Sequence, residues 1–456
     1  MGIGPVQDKS RLLQNIACDV FRSVLRSVNA ERAVMRGISL LDQVESDSLL
    51  LGDVVVTIQK GSPIYSVAVG KAAFPIARGL TKVLGSKLKG GVISGPDERS
   101  DLPPIWKVFH GGHPVPNNAS LEAAKAAFKL LKIANTPGTL VVFLISGGGS
   151  AMMELPTNEK MTVADLQAAN QTLITCGATI SEINSIRCLL SKVKGGGLSR
   201  AAHNANLISL IVSDTNSEEI FNVASGPTVS KNDFSEAEIR QIMVRYELSK
   251  NLPETIIESI EKGIKNTLKT VNENSLYRVL LENQHAVRRA VSLLRRKGFM
   301  VETFDDLAEA EIEYGCSELI RRLLDLRQKT PSEKPVAVVS GGEFVCPVRG
   351  NGLGGRNSEA ALRSAILFNQ IKLQREFSQT KFTALFAGTD GIDGNSPAAG
   401  AIASEETIEG ARKLNLNAME YLSNSDSYSF FSALGDAVRT GPTGTNVRDL
   451  RILMAC

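Results

Sequence analysis

Five times along this chain an apolar, β-branched run stops abruptly in a polar, glycine-rich turn. It happens at Val67-Ala68-Val69-Gly70-Lys71, at Val141 to Ile145 before Ser146-Gly147-Gly148-Gly149-Ser150, and at Leu207 to Val212 before Ser213-Asp214. It returns at Val336 to Val339 before Ser340-Gly341-Gly342-Glu343, and at Leu385 to Ala387 before Gly388-Thr389-Asp390-Gly391. Runs with no polar alternation read as strands buried on both faces, the pattern of parallel sheets covered by helices. Ligands of such sheets bind beyond the carboxyl ends of the strands. Here those ends carry glycine, serine, aspartate, lysine and arginine, residue types suited to handling phosphate.

The 456 residues suffice for two to four ordinary domains. A 43% hydrophobic share with 22% charged residues predicts a packed core. The net charge of +3 is too small to argue for a nucleic-acid surface, and no apolar stretch approaches the ~20 residues of a membrane span. Six scattered cysteines form no C-x-x-C pair, which fits free thiols in a reducing compartment. The expectation is a cytoplasmic protein. The stretch Arg11 to Arg32 is basic and amphipathic; its Asp19 and Glu31 favour an ordinary first helix over a mitochondrial import signal, which stays open. Met1-Gly2 is followed by Val6 where a myristoylation signal wants Ser or Thr.

Residues 10–45 read as helical and 52–62 as a hairpin or edge strand. From 64 onward strands (64–69, 91–94, 106–109, 139–145, 207–212) alternate with helices (72–84, 119–134, 163–176, 196–203), the signature of a doubly wound α/β domain. Ser235 and Glu238 form a capping box opening a charged, amphipathic stretch that Pro253 splits in two. A second alternating region begins near Tyr277. It has helices at 285–297, 308–328, 358–369, 405–414 and 427–439, and strands at 299–304, 336–339, 344–348, 382–387 and 445–453. The resulting division is an N-terminal doubly wound α/β domain (1–234), a helical connector (235–274) and a distinct C-terminal α/β domain (275–456). Two α/β domains across a cleft is the economical arrangement.

Gly70-Lys71-Ala72-Ala73 places a lysine where a strand enters a helix, beside the positive helix end. It is not a Walker A loop, since Ala72 replaces Ser or Thr and Tyr65 stands at the first glycine. In Ser146, Gly147, Gly148, Gly149 and Ser150, three glycines after a buried strand let backbone N–H groups converge on an anion. A serine nucleophile here would need a base, and the chain has only four histidines, His110, His113, His203 and His285. His110-Gly-Gly-His113 has metal-like spacing, but the prolines at 114 and 116 favour a loop that shapes a pocket or packs on the sheet. Arg187, with Lys194, Gly195 and Gly196, makes a second basic glycine turn able to bind phosphate or carboxylate. Residues 350–355 spell G-x-G-x-x-G, but Gly354, Gly355, Arg356 and Asn357 open a helix with an arginine, whose planar fork suits a phosphoryl group. Asp214, Asp390 and Asp393 sit at strand ends, where carboxylates could serve Mg²⁺ in transfer from ATP.

The ordered set Gly70-Lys71-Ala72-Ala73, Gly111 to Pro116, Ser146 to Ala151, Leu190 to Gly196, Ser225-Gly226-Pro227-Thr228, Ser340 to Glu343, Gly354 to Asn357, Gly388 to Gly391 and Thr443 to Val447 resembles the second class of glycerate kinases, the glycerate 2-kinases. The resemblance implies a Rossmann-like N-terminal domain and a separate C-terminal α/β domain with the active site between them. It implies ATP- and Mg²⁺-dependent phosphorylation of D-glycerate, generally at the 2-hydroxyl; monomer and homodimer both stay open. It places the catalytic lysine and arginine on Lys71 and Arg356. The chain departs from the family pattern at Leu353, at Ser358, at Cys188-Leu189, and at Glu218-Glu219, where a second aspartate is usual. Two other readings are a nicotinamide-dependent hydroxypyruvate reductase, supported by G-x-G-x-x-G, and a non-catalytic sugar-acid sensor.

Overall fold

The computed structural model describes residues 9–42, 46–96, 101–215, 220–229, 235–265 and 275–456. Val6, the Glu218-Glu219 pair and the expected boundaries at 234 and 274 lie outside them. Contacts divide the chain into two units. One runs from Ala30 to Glu282; the other joins the described N-terminal residues up to Asn29 with Asn283–Cys456.

In chain order the first elements are α1 (Lys9–Ser27), α2 (Ala30–Gly37), β1 (Ser39–Asp42), β2 (Ser46–Leu51), β3 (Val54–Gln59), β4 (Ile64–Val69) and α3 (Ala73–Leu84). Next come β5 (Leu88–Gly95), β6 (Trp106–His110), α4 (Asn118–Ala134), β7 (Leu140–Ser146), α5 (Gly149–Met152), α6 (Val163–Thr175), α7 (Ile180–Leu190), α8 (Gly197–Ala201) and β8 (Asn206–Val212). The unit closes with α9 (Glu236–Arg245), α10 (Leu248–Asn251), α11 (Glu254–Lys265) and β9 (Ser275–Leu281).

The main sheet of this unit is wholly parallel, in the order β6-β5-β4-β7-β8-β9. Counted along the chain this is the doubly wound order, with the reversal between β4 and β7. Every residue of β7 is buried. At roughly 1.5–3 kcal/mol for each large apolar side chain, such strands anchor the unit. Residues 39–42, expected to be helical, instead start a small antiparallel sheet, β1-β2-β3. The expected connector is helical, and its Ser235–Glu238 capping box is present. It is not a spacer, however. Ile239, Ile242, Ile256 and Ile260 close one core with Leu166, Leu173, Ile183 and Ile186 of α6 and α7. The strand read as opening the second domain, β9, extends the first sheet, pairing with β8.

The second unit continues with α12 (Asn283–Arg296), β10 (Met300–Phe304), α13 (Ile312–Lys329), β11 (Val336–Gly342), α14 (Arg356–Ile371), β12 (Phe382–Gly388) and β13 (Gly400–Ser404). It ends with α15 (Thr407–Lys413), α16 (Ala418–Ser423), α17 (Ser427–Leu434), β14 (Ala437–Val438) and β15 (Asp449–Ala455). Its sheet order is β10-β11-β15-β12-β13-β14. Only β10 and β11 are parallel; β15 runs antiparallel to both β11 and β12. The expectation of parallel sheets therefore fails here. Continuous apolarity reports burial on both faces, and a central antiparallel strand satisfies it equally well. The expected strand at 344–348 is absent apart from one bridge, Glu311 to Val345. Val345 and Val348 are solvent-exposed, while Phe344 of the same run is buried in the core of this unit. α1 packs on this sheet through Leu13, Ala17, Val20, Phe21 and Val24, one face of a 3.6-residue period.

Candidate active site

At the reversal of the first sheet, β4 and β7 part and their turns meet. Lys71 N donates to Gly147 O at 2.8 Å. Ser146 Oγ accepts from Ala72 N at 3.0 Å and donates to Val69 O at 3.2 Å. Ser146 is buried and spent on joining the two strand ends, so its hydroxyl serves the frame. The following glycines are required by what stands against them. A Cβ on Gly147 would lie 1.6 Å from Asp214 Oδ2, at the end of β8. Gly148 has φ +79°, and a Cβ there would lie 2.9 Å from His113 Cδ2 and 3.1 Å from Lys71 Cγ. The structure thus brings Lys71, Asp214 and the 146–150 turn together, and adds His113. This is the crevice where doubly wound sheets hold their ligands.

Partial desolvation, and then the Lys71 ammonium, push the His113 imidazole down to about 4, although part of the residue stays solvent-exposed. The ring is therefore neutral near pH 7. Because the folded value lies below the unfolded one, the associated stability is present above about 6.5 and is lost as pH falls from there towards 4. An NMR titration of the His113 ring is expected to show a midpoint near 4, rising in Lys71→Met. A midpoint at the ordinary histidine value would contradict this geometry.

The second basic turn is bound tightly into the protein. Lys194 is 2% exposed and paired with Glu154, itself 3% exposed. Glu154 also accepts from Ser191 Oγ and, at 2.9 Å, from Leu155 N. Gly195 N donates to Ser225 O at 3.1 Å and Gly196 N to Gly226 O at 2.7 Å. Arg187 Nε donates to Asn170 Oδ1 at 2.9 Å. Glu154→Ala would strand the Lys194 ammonium in the interior, with an expected cost of about 3–5 kcal/mol. Glu154→Met with Lys194→Met should recover most of it. Urea unfolding of the two variants checks this; equal losses in both would refute it.

In the second unit, Arg356 begins α14 between two carboxylates. Its Nε donates to Asp449 Oδ2 at 2.5 Å, and its second nitrogen contacts Asp449 Oδ1 at 3.1 Å and Glu343 Oε1 at 2.8 Å. Burial works against the guanidinium charge, but Asp449 and then Glu343 outweigh it, and the net displacement is upward. Asp390 adjoins this group: a Cβ on Gly388 would lie 3.0 Å from Asp390 Oδ1 and 3.4 Å from Asp449 Oδ1. The helix start itself is occupied. Asp393 accepts from Asn357 N at 2.9 Å, Ser358 N at 2.8 Å and Ser358 Oγ at 2.6 Å. Asn357, expected to face a phosphate, gives its amide to an internal carboxylate instead. Gly354 N donates to Asn395 Oδ1 at 2.8 Å and Gly355 N to Ser358 Oγ at 3.1 Å.

Residues 16–261 match a domain of unknown function (DUF4147), and residues 336–449 match the MOFRL family. A D-glycerate 2-kinase of Thermotoga maritima is 32% identical over 96% of this chain and 98% of its own length. A glycerate kinase crystal structure from Thermotoga maritima superposes with a TM-score of 0.81 at 29% identity, covering 98% of this chain and 100% of that one. The chain belongs to the glycerate kinase family. A protein of Agrobacterium vitis provisionally named a hydroxypyruvate reductase is also similar, 35% identical over 76% of this chain and 77% of its own.

For a glycerate kinase family member, three residues here went unread in the sequence: Glu154, Glu343 as a partner of Arg356, and Asp449. Glu154 is an acid inside apolar text, where a buried carboxylate calls for a partner, and Asp449 stands between Arg448 and Arg451 in the sequence. Among the described residues no three His, Cys, Asp or Glu side chains are arranged to hold a metal ion. Asp214 and Asp390, the expected metal ligands, belong to different units.

Proposed function

We propose that this protein transfers the γ-phosphoryl group of ATP, taken up with Mg²⁺, to the 2-hydroxyl of D-glycerate. The new bond joins the 2-oxygen to phosphorus, the β–γ bridging bond breaks, the hydroxyl proton is released, and ADP leaves. The observation that carries this reading is the meeting of Lys71, Asp214 and the 146–150 turn at the switch point, in a member of the glycerate kinase family. Phosphoryl transfer asks for positioning and charge neutralisation. A cation at ~4 Å in an environment of effective dielectric near 20 is worth roughly 4 kcal/mol against one negative charge. We assign that work to Lys71 and Arg356. Mg²⁺ arriving with nucleotide phosphates needs only one or two protein carboxylates, the role given to Asp214 and Asp390. The substrates we assign to the site are small anions; among the described residues no helix is long and apolar enough to cross a membrane.

The reductase reading is disfavoured by the surroundings of its one motif. A dinucleotide fingerprint follows directly on a strand. Here β11 ends at Gly342, and a Cβ on Gly350 or Gly352 would collide with Asn424 or Asp426. Purified protein with ATP, Mg²⁺ and D-glycerate should form ADP and 2-phosphoglycerate, identified by NMR. Folded protein that forms no ADP but oxidises reduced nicotinamide with hydroxypyruvate would replace the kinase with the reductase. A 3-phosphoglycerate product would correct the position of transfer alone.

A further inference from the structure

A cavity of about 650 Å³ lies within the first unit. Its wall includes Ser225, whose Oγ is 2.7 Å from Ser150 Oγ of the glycine turn and donates to Asn184 Oδ1 at 2.7 Å. The cavity is thus one hydrogen bond away from the switch-point crevice. Lys192, Lys194, Arg200 and Lys262 line it, and its described lining contains no aspartate or glutamate. Glu154 neutralises Lys194 and Arg200 donates to Gly195 O, while no carboxylate of the described lining faces Lys192 or Lys262. The rest of the wall is mixed: Phe128, Leu189, Phe221, Val229 and Ile239 supply apolar surface, and serine, threonine and asparagine side chains supply hydrogen-bonding groups. The backbone that shapes it is strained: Ala224 and Ser225 both have positive φ, +53° and +58°. Such conformations cost on the order of 1–3 kcal/mol each and persist where the surroundings enforce them, commonly at ligand sites.

We infer that this cavity is the nucleotide-binding chamber, with Lys192 and Lys262 as phosphate contacts; the inference rests on the kinase reading for the identity of the nucleotide. A three-carbon acid has no apolar surface to set against the phenylalanines and would fill a small part of the volume. A nucleoside triphosphate has both parts, a flat base for the apolar wall and a polyanionic tail for the cations. The volume falls within the usual range of small-molecule sites. Lys262 belongs to α11, so the segment 235–265 contributes to binding as well as to packing.

The test measures ATP binding to the intact protein by calorimetry, without glycerate, for wild type, Lys192→Glu and Lys262→Glu. Both lysines are exposed, so charge reversal leaves the core untouched. Each variant should bind ATP at least about tenfold more weakly and show a raised KM for ATP, with KM for D-glycerate within about twofold of wild type. Lys262→Arg should restore binding. Unchanged ATP affinity in both variants, or a rise confined to the KM for D-glycerate, overturns the inference while leaving the kinase standing. Weakened ATP binding in the variants of a protein that forms no ADP keeps the chamber and removes the kinase.

Discussion

Lys71→Ala is expected to lower kcat by about 10²–10³, the cost of deleting one charge-stabilising donor from a reaction centre. The fold should survive. The backbone N–H that joins Lys71 to Gly147 O is retained by alanine, and the lost side chain is not part of the core. The KM for D-glycerate should change much less than kcat, because the ammonium acts on charge that develops during transfer. Steady-state kinetics beside a thermal melt decides the matter. Turnover within a few-fold of wild type would remove Lys71 from the chemistry.

Arg356→Ala should behave differently. Asp449 is only 2% exposed and is held by a two-point contact with the guanidinium. Removing that partner strands a buried carboxylate, at about 3–5 kcal/mol, so loss of activity and loss of stability will arrive together. The variant that separates them is Arg356→Lys. It keeps the charge beside Asp449 and Glu343 and loses the planar fork. It should melt close to wild type while kcat falls about 10- to 100-fold. A melt unchanged in Arg356→Ala would show that Asp449 needs no counter-ion. Wild-type kcat in Arg356→Lys would show that the fork does nothing for transfer.

The sequence carried the strands of the first sheet to within a few residues, because both-face burial writes an unbroken apolar run. Lys71, the 146–150 turn and Asp214, singled out from strand-end glycines beside charge, stand together in the structure. Strand direction was not legible: β15 reads like β7 yet runs antiparallel to its neighbours. β13 was missed because Gly400-Ala401-Ile402-Ala403-Ser404 is built of small residues with a single β-branched one. α7 was missed although Thr179 and Glu182 form the same capping box that was read at Ser235 and Glu238. Lys194, Asn357, Gly195 and Gly196 were read as facing a ligand. Their partners Glu154, Asp393, Ser225 and Gly226 are distant in sequence or carry no local mark, so nothing near them showed that their polar groups were already engaged.

The position of β15 between β11 and β12 has a consequence for synthesis. β15 is made after every other strand of its sheet, and α1, made before all of them, has its docking surface on that same sheet. The unit that holds Arg356 must wait, with the apolar face of α1 unsheltered, until residue 455 has emerged, whereas Ala30–Glu282 can close long before. Stalled translation or a stop codon shortly before Asp449 should yield a chain with one finished half and one aggregation-prone half.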